Sequence, residues 1–394
     1  MNQEPSKQLY WESSYLKEIK TKIVDIRNSD ILFDETIFYP GGGGQLHDTG
    51  YMKYLDHEYP IIETYKDEQG IWHKVKTKED FPFSIGNEIT LKLDWERRYN
   101  FMKAHSSQHL LTHILIEKYS CNTLKANFDE GKVEIEVDKK LNLSEIIEAF
   151  EETNKIIYQG DEVLSIITDQ ETYSKKYKSK IRGKTSKEET IRLIQLGSDE
   201  GYDLVGCGGT HVKNLSEIQG IVLDSVKGDF IKYFVDKTAI DFANYQRELM
   251  LYLEEITEKK DKKLVEMVEN KIKNVEELTQ GNVKLLKMIF AEINNWSQKI
   301  NNNSVTFLEL KELDRQIIQS SAKELQQNAF LGLLGYNDIL YLLSTIESLP
   351  ANEIVKRFSS KTHAKGGGSK TFAQVSVREI ENPFSVLKEI IKEF

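Results

Sequence analysis

The 394-residue sequence predicts an α+β protein in four parts: a small N-terminal β-barrel, an α+β domain, a helical linker and a small C-terminal α/β domain. Three observations carry this reading. Runs rich in β-branched and aromatic residues, punctuated by turn glycines, fill the first hundred residues. A helical period begins at Trp95, and residues 243–300 hold no proline and a single glycine, Gly281. A chain of this length is too long for one ordinary core, so several domains are expected.

The first part, 1–94, reads as strands at 15–27, 29–39, 59–65, 71–75 and 88–93, with Gly70 and Gly86 as turns. Between the second and third strands stands Pro40-Gly41-Gly42-Gly43-Gly44, a run that no regular element tolerates. In the second part, 95–242, Phe101, His105, Gln108, His109, Thr112 and Leu115 fall on one helical face. A strand at 132–137, a helix at 144–158 capped by Ser144, and strands at 192–196, 220–226 and 231–235 follow. The linker, 243–303, repeats apolar residues at helical spacing (Leu249, Leu253, Ile256; Leu264, Val268, Ile272), as a spacer or dimer seam would. The last part, 304–394, alternates strand and helix, with Gly366-Gly367-Gly368 ahead of a final strand and helix.

Composition narrows the function. No run of 18 apolar residues exists, and the N-terminus lacks the basic and apolar regions of a signal peptide. Two cysteines cannot build a disulfide framework, so a cytoplasmic protein with reduced thiols and no membrane contact is expected. The net charge of −10 argues against a nucleic-acid partner, but its distribution does not. Residues 354–378 hold six Lys or Arg and no acid, and residues 175–192 hold eight against two Glu. Either run alone also fits a solvated face.

Two clusters carry metal-type donors: His105-Ser-Ser-Gln-His109 and Cys207-Gly-Gly-Thr-His211. Together they offer three imidazoles and a thiolate, a full tetrahedral set for one Zn²⁺ per chain. Helix-face histidines and a buried thiol beside a turn are the plainer alternatives. Ser106 stands where a zinc peptidase carries its glutamate, which removes that class. His113, one turn further, would lie about 12 Å from His105 along the helix and is a poor third ligand. Cys121 reads as a core thiol. The glycine run is explained either by a flexible turn or by a backbone held against a ligand. Thr36 and Gln45 flank it as neutral hydrogen-bonding side chains.

These motifs, with Phe38-Tyr-Pro-Gly-Gly-Gly-Gly-Gln45, resemble the editing domain of alanyl-tRNA synthetase and its free-standing relatives, the AlaX proteins. Gly366-Gly-Gly368 with Phe372-Ala-Gln374 resembles the C-terminal DHHA1-type domain of such synthetases and of long AlaX forms. The glycine run of the family begins with Glu where this chain has Gly41. The resemblance implies an aminoacyl-tRNA deacylase acting on mischarged tRNA(Ala), with serine, and sometimes glycine, as the wrong amino acid. It implies zinc on His105, His109, Cys207 and His211, and a pocket shaped by Gly41, Gly42, Gly43 and Gly44. By the same resemblance Thr36 and Gln45 read the serine hydroxyl and join His105 and His109 as catalytic candidates.

Lys356, Arg357, Lys361 and Lys365 are the expected RNA contacts, and the helical linker or C-terminal domain is the expected homodimer seam. The alternative class is a zinc-stabilised tRNA-binding module without catalysis. Four protein ligands close the metal set, so the sequence alone assigns zinc without assigning it the activation of water.

Overall fold

The computed structural model describes residues 6–77, 82–183, 190–198 and 201–394. Lys184 and Lys187 of the second basic stretch lie outside them. The chain forms two compact units, Met1–Tyr252 and Leu253–Phe394.

The first unit opens with β1 (Lys7–Gln8) and α1 (Leu9–Glu12), followed by β2 (Glu18–Arg27), β3 (Asp30–Phe33) and the short β4 (Glu35–Thr36), which pairs in parallel with β1. β5 (Gly50–Tyr54), β6 (His57–Asp67), β7 (Gly70–Val75) and β8 (Glu88–Leu93) complete a closed six-stranded barrel in the order β2-β3-β7-β6-β5-β8. Closure follows from the residues. β8 alternates, burying Ile89, Leu91 and Leu93. Irregularities at Ile23/Asp25 and Ile61/Glu63 bend β2 and β6 as a barrel requires. The expected strand over 29–39 breaks at Asp34, whose carboxylate accepts the N–H groups of Lys22 and Glu35 and so competes with the ladder. β5 was not legible, because the turn residues Asp48-Thr-Gly50 lead straight into it.

α2 (Trp95–Tyr119) begins at Asp94, whose side chain accepts from Arg97 N. It is buried on all sides from Phe101 to Thr112, including Ser106, Ser107 and Gln108. Around it stand β9 (Thr123–Asp129), β10 (Lys132–Val137) and α3 (Leu143–Gln159). The cap of α3 is Asn142, not Ser144: Asn142 accepts from Glu145 N while Glu145 accepts from Asn142 N, a reciprocal capping box. β11 (Val163–Asp169) leads through the short α4 (Gln170–Thr172) and a turn at Tyr173–Tyr177 to β12 (Thr190–Leu196) and β13 (Asp203–Gly206), forming a three-stranded sheet. β14 (Ile221–Lys227) and β15 (Phe230–Val235) complete a second sheet, β14-β15-β10-β9.

The division between units falls within α5 (Lys237–Thr257). The second unit holds α6 (Asp261–Ala291), β16 (Gln298–Ile300), β17 (Asn303–Glu309), α7 (Arg315–Ser321), β18 (Ala329–Gly335), β19 (Ile339–Ser344), α8 (Ala351–Thr362), β20 (Gly366–Gly368), β21 (Phe372–Ser376) and α9 (Pro383–Lys392). Its sheet runs β16-β17-β18-β19-β21-β20, with β17 and β18 parallel. All seven residues of β18 are buried, as suits a strand covered on both faces. Among the described residues no helix is long and apolar enough to cross a membrane.

Candidate metal centre

α2 and the loop after β13 bring the two donor clusters together. His105 and His109 project from one turn of the helix, and Cys207 and His211 from the loop. Their ligand atoms all lie within 4.8 Å of one another. His105 Nε2 stands 3.5 Å and His211 Nε2 3.3 Å from Cys207 Sγ. Tetrahedral zinc, with bonds of about 2.3 Å to sulfur and about 2.0 Å to nitrogen, sets those atoms about 3.5 Å apart. The three imidazole centroids are 4.3, 4.7 and 4.8 Å apart. No carboxylate joins the group among the described residues.

The hydrogen bonds around the rings set their tautomers. Thr210 N donates to Gln45 Oε1 and Gln45 Nε2 donates to Thr210 Oγ1, which fixes the amide orientation. His105 Nδ1 therefore donates to Gln45 Oε1 at 2.9 Å, and its Nε2 lone pair faces the thiol. Ser106 Oγ, which accepts Val212 N, lies 3.1 Å from His211 Nδ1 and holds that ring in the same sense. His109 Nδ1 is buried without any hydrogen-bond partner. Such an orphan costs about 1–3 kcal/mol.

Electrostatics agree. Burial pushes the His105 imidazole down to about 3, and the Arg192 charge acts in the same direction. Burial and the neighbouring His105 drive His109 and His211 well below the ordinary range. Burial raises the Cys207 thiol, opposed by the Gly209 N–H and the charges of Arg192 and Arg182. Neutral imidazoles are what a metal needs, and the thiol keeps its proton until a cation displaces it.

The glycines have separate reasons. Gly41, Gly42, Gly43 and Gly44 all have positive φ, from 57° to 135°, which only glycine adopts in series. A Cβ on Gly44 would lie 2.1 Å from Ala126 O, and Gly44 O accepts Phe128 N. The loop thus rests on β9, whose Phe128 ring lies beside His105. A Cβ on Gly209 would lie 2.3 Å from His105 Cε1. Gly43 and Gly208 face open space.

Other candidates sit further out. Thr36 is buried in the barrel, where its hydroxyl bonds His73 Nε2 at 2.8 Å and accepts Phe38 N. His113 packs on Tyr202, away from the donor group. Lys356, Arg357, Lys361 and Lys365 belong to the second unit; Arg357 and Lys361 pair with Glu393 there. Sequence reasoning missed Arg192, which is buried and donates to the carbonyls of Cys207 and Gly209 and to Ser165 Oγ. A charge inside the apolar run Ile191-Arg-Leu-Ile194 was the signal.

The family described as tRNA synthetases class II (A) matches residues 8–97. The alanyl-tRNA editing protein AlaX-M of Pyrococcus horikoshii is 35% identical over 221 residues, covering 54% of this chain and 88% of that protein. The chain belongs to the alanyl-tRNA editing protein family. AlaX-L of the same organism is 36% identical over 219 residues, 54% of this chain and 52% of that protein. The alanine–tRNA ligase of Sulfurisphaera tokodaii is 27% identical over 402 residues, 96% of this chain and 43% of the ligase. The chain thus spans about half of AlaX-L and less than half of the ligase. The C-Ala domain from Aquifex aeolicus alanyl-tRNA synthetase matches 24% of the chain and 97% of that domain at 14% identity, with a TM-score of 0.22, too low to carry an argument.

Proposed function

We propose that this chain hydrolyses the ester joining a wrong amino acid to alanine tRNA, serine foremost and glycine second, with one zinc ion on His105, His109, Cys207 and His211. The convergence of three neutral imidazoles and a thiol from motifs a hundred residues apart carries the reading. A nitrogen-rich set with one sulfur and no carboxylate suits zinc among common cations. When bound, zinc holds Cys207 as thiolate and offers a positive centre for the oxygen-rich end of the substrate. In this reading 1–94 is a barrel-like N-terminal domain, 95–242 the editing domain, 243–303 a helical linker and 304–394 an RNA-binding domain that uses Lys356, Arg357, Lys361 and Lys365.

The chain's own residues do the rest. Gln45 and Ser106 keep two ligand rings turned toward the centre. Gly41–Gly44 bring backbone close without side chains, and Gly43 and Gly208 leave a face open to the aminoacyl end. His73 Nδ1 faces Ile31 O and so carries the ring proton, which makes Thr36 donate its hydroxyl hydrogen to Nε2. Thr36, buried in the barrel and already accepting Phe38 N, keeps one acceptor lone pair, the one a seryl hydroxyl would have to reach. Alanine offers no such donor. A second, hydrolytic sieve is needed because a pocket that admits alanine cannot exclude glycine by size and rejects an added hydroxyl weakly.

The test is hydrolysis of Ser-, Gly- and Ala-tRNA(Ala) by the purified chain. Release of serine with alanine spared supports the proposal. Equal release of alanine, or none of serine, overturns it.

A further inference from the structure

We propose, resting on the reading of the chain as a tRNA deacylase, that the backbone N–H of Gly208 receives the negative charge that gathers on the ester's carbonyl oxygen during hydrolysis. Arg192, the buried cation beside the metal centre, is the positioning residue that holds this N–H in place.

Each backbone N–H and C=O of a tight turn either finds a partner or faces open space. In the ligand loop, Cys207 N donates to Arg192 O at 3.2 Å. Cys207 O and Gly209 O both accept from Arg192 Nη1. Gly208 O accepts from Trp11 Nε1 at 3.1 Å, and Gly209 N donates to Cys207 Sγ at 3.4 Å. Thr210 N donates to Gln45 Oε1 at 3.1 Å. From Cys207 N to Thr210 N, Gly208 N–H alone has no partner among the described residues. Gly208 is exposed, and a Cβ there would meet nothing within 4 Å.

The direction of this N–H follows from the planar trans peptide, in which N–H and C=O point opposite ways. Arg192 holds Cys207 O, so Gly208 N–H points away from the guanidinium. Thr210 N–H does the same: Gly209 O is turned to Arg192, and Thr210 N–H leaves toward Gln45, which supports the His105 ring. Only the atoms of Cys207 itself separate Gly208 N from Cys207 Sγ, about 3–5 Å, so the free donor stands beside the metal-type group. The guanidinium cannot swing, because its Nε donates to Ser165 Oγ at 2.9 Å and that hydroxyl donates to Trp11 O. Trp11 thus braces Arg192 through Ser165 and braces Gly208 through its carbonyl. In hydrolysis a water oxygen bonds to the ester carbonyl carbon, and the π pair moves onto the carbonyl oxygen. On collapse the pair returns and the bond to the ribose oxygen breaks; the water has given a proton to solvent and the ribose oxygen takes one up. A preset N–H at the carbonyl oxygen favours the charged state over the uncharged ester.

The chain holds a single Cys-Gly pair, so carbonyl-labelled cysteine with nitrogen-labelled glycine isolates the Gly208 N–H in an NMR spectrum of the full, zinc-loaded chain. The probe is an acceptor-stem RNA hairpin whose 3′ end carries serine through a charged phosphonate, compared with the same hairpin carrying serine through a neutral amide. The phosphonate moves the Gly208 proton resonance downfield and the amide does not; a resonance that the phosphonate leaves in place overturns the proposal. A second arm removes the donor by placing glycolic acid at position 208, which turns the amide into an ester. Its kcat for Ser-tRNA(Ala) falls about 10²–10³-fold with KM and zinc content unchanged, and a kcat within about threefold of the wild type overturns the proposal. Arg192→Met lowers kcat at least about tenfold at unchanged KM and abolishes the resonance shift, and Arg192→Lys, still a donor, restores part of both. A full shift in Arg192→Met overturns the positioning role. The wild-type resonance decides even where a variant fails to fold. If the wild type releases no serine, the deacylase reading has failed; if it releases serine with the resonance unmoved, only the Gly208 assignment has.

Discussion

At Gly209 there is no side chain because His105 occupies the space one would need. Gly209→Ala must move either the loop or the ring, and loss of a ligand's support costs about 10–100-fold in metal affinity. We expect at least tenfold weaker zinc retention against a competing chelator; retention equal to the wild type would show that the loop yields freely. His73 gives a second prediction. Burial pushes its imidazole down to about 3 from an ordinary 6.5, so the folded state keeps it neutral. Below about 6.5 the unfolded chain takes up a proton that the folded one refuses, so stability is lost as pH falls toward 3. The loss approaches 1.4 kcal/mol per pH unit, about one proton's worth. His73→Gln should therefore show a stability slope shallower by one proton between pH 6 and pH 4; identical slopes in denaturant titrations would contradict this. At this scale the sequence was legible where the chemistry is local. His105-x₃-His109 and Cys207-x₃-His211 announce themselves by spacing. His73, Ser106 and Arg192 do not, because their partners are 37, 105 and 15 or more residues away.

Between elements, the position of α2 against the barrel is fixed by a buried ion pair. Arg98 donates from Nε to both oxygens of Asp48 at 3.0 Å, and from Nη1 and Nη2 to Ser14 O and Ile37 O. Asp48 also accepts Tyr39 N, so it ties the glycine-loop flank to the helix two turns before His105. Asp48→Asn leaves the guanidinium buried without its counter-charge, which costs about 3–5 kcal/mol. Chemical denaturation should show that loss, and a change under 1 kcal/mol would mean the pair does not hold the helix. Barrel strands with clean alternation, such as β8, were readable beforehand. β4, β5 and the true start of α3 were not: β4 and α3 are set by side-chain-to-backbone bonds of Asp34 and Asn142 that outweigh local propensity, and β5 follows directly on the turn residues Asp48-Thr-Gly50.

For the whole molecule, an acidic chain that works on RNA is reasonable only if its positive charge is concentrated where RNA lies. In the sequence the net charge argues against a nucleic-acid partner, and the local runs at 175–192 and 354–378 soften that argument. The structure pairs part of each run: Lys175 with Glu171 and Arg182 with Asp203 in the first, Arg357 and Lys361 with Glu393 in the second. The central claim is that the four-donor centre serves hydrolysis and is not mere scaffolding. His105→Ala, assayed in parallel for zinc content and for release of serine from Ser-tRNA(Ala), tests it most directly. We predict that both fall together, serine release by at least a hundredfold. Full serine release from a folded, zinc-free variant would contradict the account.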